Sequence, residues 1–192
     1  MDSLVFFLFR RRTSFLFLGT FAVLVLGKPD AASIIIGLPF VVAGEAIRLW
    51  VSGYLNKMEI LTTGGPFALC RNPMYIGTFL ISMGYFIMAH RIDVLIVGTI
   101  LFWLFHAGAV FYEEKLLRER FGAEYESYCS RVPRFIPKLQ RFSGNGQFSL
   151  RQLISNKEHQ RITLPIIITV LLFLKAHFSG FSFISWGLAL RP

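Results

Sequence analysis

The chain has 192 residues, 54% hydrophobic and 16% aromatic, with 21 Phe and a mean hydropathy of +0.57. That composition excludes an ordinary soluble domain and describes an integral membrane protein. The net charge of +9 lies on the flanks of apolar runs, which favours anionic lipid headgroups over nucleic acid.

Met1–Arg12 ends in Arg10-Arg11-Arg12 and leads into the apolar run Ser14–Leu26. The basic cluster, the apolar core and Ala31-Ala32-Ser33 together mimic a cleaved leader. Further spans follow, however, and a Phe-rich run precedes the arginines, so Ser14–Leu26 reads as a first span. Lys28-Pro29-Asp30 predicts a tight turn. Span two, Ser33–Tyr54, carries Glu45 and Arg48 at i, i+3. Ionisable groups inside a span face protein or a cavity, so the two either pair with each other or line a substrate path. Span three, Met74–Ala89, turns at His90-Arg91-Ile92-Asp93 into span four, Val94–Tyr112, making a helical hairpin. His106 in span four fits a hydrogen-bonded core residue better than a base.

Glu113–Gln160 is charged and at first helical. Leu117, Phe121, Tyr125 and Tyr128 fall on one helix face, and Gly122 weakens the helix midway. The prolines of Arg131-Val132-Pro133-Arg134-Phe135-Ile136-Pro137 predict an extended strap across the membrane face. Thr163–Leu174 opens a fifth span that continues towards Leu190. Lys and Arg placement puts the N-terminus inside, with Arg10–Arg12, Lys57, Arg71 and Lys115–Arg161 in the cytosol. Cys70 and Cys129 lack metal-ligand spacing and read as free thiols; no metal site is expected. The predicted fold is an all-α polytopic membrane protein of about five spans, with an amphipathic helix and strap between spans four and five. It forms one domain: an N-terminal hairpin (1–56), a catalytic core (57–137), a cytosolic connector (138–163) and a C-terminal span (164–192).

The chemistry concentrates at Gly64-Gly65-Pro66-Phe67-Ala68-Leu69-Cys70-Arg71-Asn72-Pro73-Met74-Tyr75-Ile76-Gly77. Gly64, Gly65 and Pro66 break the preceding structure. Asn72 predicts a helix cap, and Pro73 suits the first helical position, where no N–H is needed. A helix start gathers unpaired donors and partial positive charge, and Arg71 beside it is a second anion holder. Hairpin geometry puts Arg71 and Asn72 at the membrane height of Glu113-Glu114. These opposite charges either pair with each other or grip a zwitterionic ligand, with Arg71 on a carboxylate and Glu113 on an ammonium or hydroxyl.

The block Gly65–Gly77, followed by Glu113-Glu114, Phe121-Gly122-Ala123-Glu124-Tyr125-Glu126-Ser127-Tyr128 and Arg131–Pro137, resembles the isoprenylcysteine carboxyl methyltransferase and phospholipid methyltransferase superfamily. The resemblance covers about Gly44–Pro137, and Glu45-Ala46-Ile47-Arg48-Leu49-Trp50 is similar to the second span of prokaryotic members. It implies a multi-pass enzyme of a prokaryotic cell membrane, using S-adenosyl-L-methionine at the cytosolic face on a lipid-like or prenylated substrate. Carried over by residue, the cofactor contacts are Leu61, Thr62, Phe67, Asn72, Pro73, Met74, Tyr75 and Glu113. Arg71 and Glu113 are the catalytic candidates; Glu45, Arg48 and His106 lie on the substrate side.

Two departures bear on the substrate. Members acting on prenylated protein ends commonly carry His at the position of Asn72. The prenylcysteine enzymes also place an Arg four residues before the first acid, to hold the substrate carboxylate; here that position is Ala109. The acceptor, carboxylate or amine, stays open, as does the oligomeric state. The competing readings are a membrane oxidoreductase of steroid-reductase type and a non-catalytic membrane scaffold.

Overall fold

The computed structural model describes the backbone of residues 2–55, 60–138 and 144–189, with the side chains of 2–5, 8, 12 and 179–189 left aside. Lys57 and Leu190, which the sequence places in the cytosol and at the end of the last span, lie outside the described residues. Among the described residues the regular structure is all helical. The order is α1 (Asp2–Leu26), α2 (Ala31–Tyr54), α3 (Pro66–Leu69), α4 (Pro73–Met88), α5 (Ile92–Arg131), α6 (Leu150–Ser155), α7 (Glu158–Arg161) and α8 (Thr163–Ala189). Three stretches are long and apolar enough to cross a membrane: Ala31–Tyr54, Ile92–Arg131 and Glu158–Phe178. Thr13–Leu26 and Pro73–Met88 are shorter apolar helices.

Helix α1 runs unbroken through Arg10–Arg12, further towards the N-terminus than the apolar pattern indicates. Span four and the amphipathic helix are one element: α5 is 40 residues long and bends at Gly122, whose φ of 49° and ψ of −122° lie outside helical space. Positive φ suits glycine, which has no Cβ to clash. The Lys28–Asp30 turn also starts α2. Ser33 N–H donates to Asp30 Oδ1 at 2.7 Å, and Asp30 N–H donates to Ser33 Oγ at 3.0 Å, a reciprocal capping box. Lys28 N–H donates to the Ala89 carbonyl at 2.8 Å, tying this turn to the end of α4.

The tightest helix pair is α2 with α4, not α4 with its sequence neighbour α5, which packs mainly along α1. Four glycines allow the α2–α4 contact. A Cβ on Gly44 would stand 2.5 Å from the Gly77 carbonyl oxygen, and one on Gly37 would stand 2.5 Å from that of Gly84. Both relations are reciprocal, and the partner numbers run in opposite directions, so the helices are antiparallel with two glycine crossings. Small residues at such crossings let helix backbones approach closely where lipid supplies no hydrophobic drive. Around the crossings Val23, Ile34, Val41, Ile81, Tyr85, Phe86, Met88, Ile168 and Leu172 join α1, α2, α4 and α8 in one buried cluster. Outward-facing Ile35, Phe21, Ile100 and Phe173 are exposed, as lipid-facing positions would be.

Two outcomes test this packing. Gly44→Leu or Gly77→Leu should destabilise the bundle by about 1–3 kcal/mol or more through overpacking. Gly19→Ala, where a Cβ meets nothing within 4 Å, should be neutral in the same thermal unfolding assay in detergent. Asp30→Ala should cost about 1 kcal/mol through loss of the cap. The bond from the Ser33 amide, ahead of that from its hydroxyl, holds the Asp30 carboxyl below its ordinary value. Its contribution is therefore complete above the unfolded pKa of about 3.9 and fades as pH falls through the lowered folded value. The difference in melting temperature between wild type and Asp30→Ala should accordingly be larger at pH 7 than at pH 2.

Candidate functional site

The Gly65 turn has the expected chemistry. Gly65 adopts φ 57°, and Pro66 opens the short α3. The chain then extends through Cys70 to Asn72, and Pro73 begins α4 as its first residue. Asn72 does not cap with its side chain. Its carbonyl accepts from the Tyr75 and Ile76 amides at 3.2 and 3.4 Å, while its Nδ2 donates to Glu114 Oε1 at 3.0 Å. The amide is used across the site rather than along its own helix.

Glu114 is the acid at the centre. It is 1% exposed. Arg134 donates from Nε to Oε1 and Oε2 at 3.1 and 3.2 Å and from Nη2 to Oε2 at 2.9 Å. Arg71 Nε stands 3.5 Å from Oε1, an ion-pair distance at which the buried Nε–H makes no hydrogen bond. The acid that Arg71 pairs with is Glu114. Glu113, the residue expected to face Arg71, is half-buried one position away. Adjacent on α5, the two acids leave the helix about 100° apart, and Glu114 is the one that meets the turn and residues 133–138.

The strap closes the other side. Arg71 N–H donates to the Pro133 carbonyl at 2.8 Å, Asn72 N–H to that of Arg134 at 3.2 Å, and Lys138 N–H to that of Leu69 at 3.0 Å. Residues 133–138 thus lie against Leu69–Asn72, with the chain bent at 134–136 rather than extended. The Arg134 guanidinium also lies 4.7 Å from the Phe111 ring centroid, and Phe135 meets Trp103 edge to face at 5.2 Å. The sequence alone assigns Arg134 no role; its signal there is a second cation three residues past Arg131 in a proline-flanked segment.

Beneath the turn, Leu61, Tyr125, Tyr128 and Val132 form a second buried cluster. Tyr128 Oη donates to the Phe67 carbonyl at 2.7 Å, fixing the turn to the helix after the α5 bend. The Tyr125 hydroxyl is buried without a hydrogen-bond partner. Thr62 is buried and donates to the Tyr54 carbonyl at 3.4 Å. Burial pushes the Cys70 thiol up to about 11, which makes it an inert core residue. Leu61, Phe67, Arg71 and Asn72 are therefore joined around one corner by contacts to α5 and residues 133–138, with Thr62 held on the end of α2 and Pro73 opening α4 beside them. Met74 and Tyr75 follow on the first turn of α4, both half-buried.

The substrate-side candidates lie deeper and apart. His106 is buried, with Nδ1 2.9 Å from the Phe102 carbonyl and its ring stacked on Phe102 at 3.9 Å. Tyr75 meets it edge to face at 5.8 Å, linking it to the start of α4. A mainly apolar crevice between α1, α4 and α5 reaches His106 past Gly19, Ser82 and Phe102. Arg48 does not turn to Glu45 for its hydrogen bonds: it binds Glu158 and, through Nη1 at 3.0 Å, Thr78 Oγ1. No group of three or more His, Cys, Asp or Glu able to hold a metal is present among the described residues.

The family model for phospholipid methyltransferase matches residues 32–124. The nickel-cobalt-cadmium resistance protein NccN of Alcaligenes xylosoxydans xylosoxydans is 29% identical over 121 residues, 62% of this chain and 56% of the relative. The protein-S-isoprenylcysteine O-methyltransferase of Schizosaccharomyces pombe is 31% identical over 97 residues, 50% and 41% of the two chains. Protein-S-isoprenylcysteine O-methyltransferase B of Arabidopsis thaliana is 34% identical over 113 residues, 53% and 57%. No solved structure matches. The match spans about half the length of these curated relatives. Residues 32–124 thus match the phospholipid methyltransferase family, and relatives named isoprenylcysteine O-methyltransferase support the same superfamily.

Proposed function

We propose that the protein is a membrane methyltransferase that uses S-adenosyl-L-methionine to methylate a carboxylate or amine on a lipid-like or prenylated substrate. Its helices cross the membrane as one five-span domain, with the corner around Arg71 at the cytosolic face. The observation that carries this reading is the convergence of Arg71, Asn72 and Arg134 on Glu114 at the start of α4. One buried carboxylate faces two guanidiniums there, so it neutralises one positive charge and leaves the other for an anion. The residual donor capacity of Arg71, whose Nε–H is buried without a hydrogen bond, fits the carboxylate of an amino-acid-like cofactor.

The cofactor, when bound, supplies a methyl group on a sulfonium centre, the electrophile of an in-line displacement. Leu61, Thr62, Phe67 and Asn72–Tyr75 would hold it, with Arg71 on its carboxylate and Glu113 on its ammonium or a hydroxyl. The aromatic faces of Phe67 and Tyr75 suit a sulfonium charge. The chain's contribution is orientation and exclusion of water rather than acid–base chemistry. A carboxylate acceptor needs no proton removed; an amine acceptor would arrive deprotonated or lose its proton to water. The crevice reaching His106 is mainly apolar, as the path of a lipid-like acceptor's tail would be.

Calorimetric titration of S-adenosylhomocysteine into the full chain in detergent tests the site. Wild type should bind, and Arg71→Ala and Glu113→Ala should each weaken binding at least tenfold, about 1.4 kcal/mol. A wild type that does not bind ends the methyltransferase reading; unaltered binding in both variants moves the site elsewhere. Labelled-methyl transfer into a lipid extract, with the product identified by mass spectrometry, should yield an apolar methyl ester or N-methyl product. Loss of the label signal in Arg71→Ala should accompany the loss of affinity.

A further inference from the structure

Residues 144–158 lie beyond the family match, which ends at 124. They fold back over the end of α2 and the loop that precedes α3. The Asn145 carbonyl accepts from the amides of Gly64 and Thr63 at 2.7 and 3.3 Å, and Asn145 N–H donates to Thr63 Oγ1 at 2.9 Å. Ser149 N–H donates to the Gly53 carbonyl at 2.9 Å, and Gln152 Nε2 to that of Leu55 at 2.8 Å. Asn156, 6% exposed, donates from Nδ2 to the carbonyls of Ser52 and Leu55, both at 2.9 Å. The carbonyls at the end of α2 have no onward helical partners of their own, so this segment supplies them.

The fit is close. A Cβ on Gly144 would collide with the Thr63 carbonyl, and one on Gly53 with the Phe148 ring, which packs against Tyr54 at 6.0 Å. At the far end Glu158, 2% exposed, accepts from Arg48 Nε at 2.8 Å, and Arg161 stands 3.5 Å from its other oxygen. Arg48 also holds Thr78 on α4. A buried ion pair contributes little net stability over an apolar pair, and its better-attested use is to fix register. The loop Leu61–Asn72 is thus gripped twice, by the strap at Leu69–Asn72 and by residues 144–158 at Thr63 and Gly64.

We propose that residues 144–158 are a clasp that sets cofactor affinity by holding the Thr62–Gly64 loop, with Glu158 on Arg48 as its anchor. Asn156 and Glu158 are then positioning residues, acting through the loop and touching neither cofactor nor substrate. This rests on the cofactor reading given above, and the test separates the two. The full chain in lipid nanodiscs is compared with Glu158→Gln, Asn156→Ala and the swap Arg48→Glu with Glu158→Arg, by hydrogen exchange and by S-adenosylhomocysteine titration. Each single variant should raise exchange at the Thr63 and Gly64 amides at least tenfold, leave the amides of Ile81–Tyr85 in α4 protected, and weaken binding at least fivefold. The swap should recover part of both.

Faster loop exchange with unchanged affinity would overturn the proposal, leaving a segment that only braces the bundle. Unchanged loop exchange in Glu158→Gln and Asn156→Ala would overturn it as well. Should Glu158→Gln lose protection in α4 too, the milder Gln152→Ala decides by the same two readouts. A wild type that binds no S-adenosylhomocysteine overturns the cofactor reading and the affinity claim with it, while the exchange data still report whether Glu158 holds the loop.

Discussion

The site depends on one buried carboxylate. Glu114 is 1% exposed, and an ionised acid in that position would cost several kcal/mol without partners. Its partners come from the turn (Arg71 and Asn72) and from the strap (Arg134), segments far apart in the chain. Glu114 therefore acts as a junction: it fixes where the strap lies against the turn and how far the turn sits from α5. Because α5 runs without a break from Ile92 past Glu114 to its bend at Gly122, the membrane helix itself sets the height of that junction.

The second constraint comes from glycine packing. Gly77 lies one turn past Pro73 at the start of α4, and a Cβ there would collide with the Arg48 side chain and the Gly44 carbonyl. A slip of α4 along α2 would replace these glycine contacts with Cβ atoms and also move Asn72 away from Glu114. The same crossing places Arg48 between Thr78 and Glu158. Helix register, the turn and the returning segment 144–158 are thus set together, which is why an in-span arginine is tolerated here: it is paired on the protein side rather than left to lipid.

Much of this was legible in the sequence, by mechanism. The break at Gly64–Pro66, Pro73 as the first residue of α4, the bend at Gly122 and the Leu117–Tyr128 stripe all follow from local backbone and periodicity rules, and all are present. What failed was side-chain partnership. Asn72 next to Pro73 spells a cap, yet its amide is taken by an acid 42 residues on. Glu45 and Arg48 suit either a local pair or the lining of a path, and Arg48 makes its hydrogen bonds to Glu158, 110 residues on, and to Thr78. Local rules cannot weigh a distant buried carboxylate that offers stronger, charge-assisted bonds. Glu113 and Glu114 stand four and three residues before Leu117, so periodicity alone does not choose between them. The Gly37, Gly44, Gly77 and Gly84 pattern was also visible as two seven-residue spacings, but which helices it joined was not.

The departure at Ala109 has a structural consequence for the proposed reaction. Ala109 is fully buried on α5, so this helix offers no guanidinium at the position where the prenylcysteine enzymes are expected to hold a substrate carboxylate. One turn earlier His106 is committed to the Phe102 carbonyl and stacked on its ring. The cations at this corner are instead Arg71 and Arg134, on the turn and the strap, both drawn in by Glu114. On the methyltransferase reading, an anionic acceptor would meet positive charge from the strap side, with its apolar tail in the crevice between α1, α4 and α5. The acceptor group and its tail would then be held by different layers of the protein. Selectivity for the head would follow from Glu114 and its arginines, and selectivity for the tail from how closely α1 packs along α5.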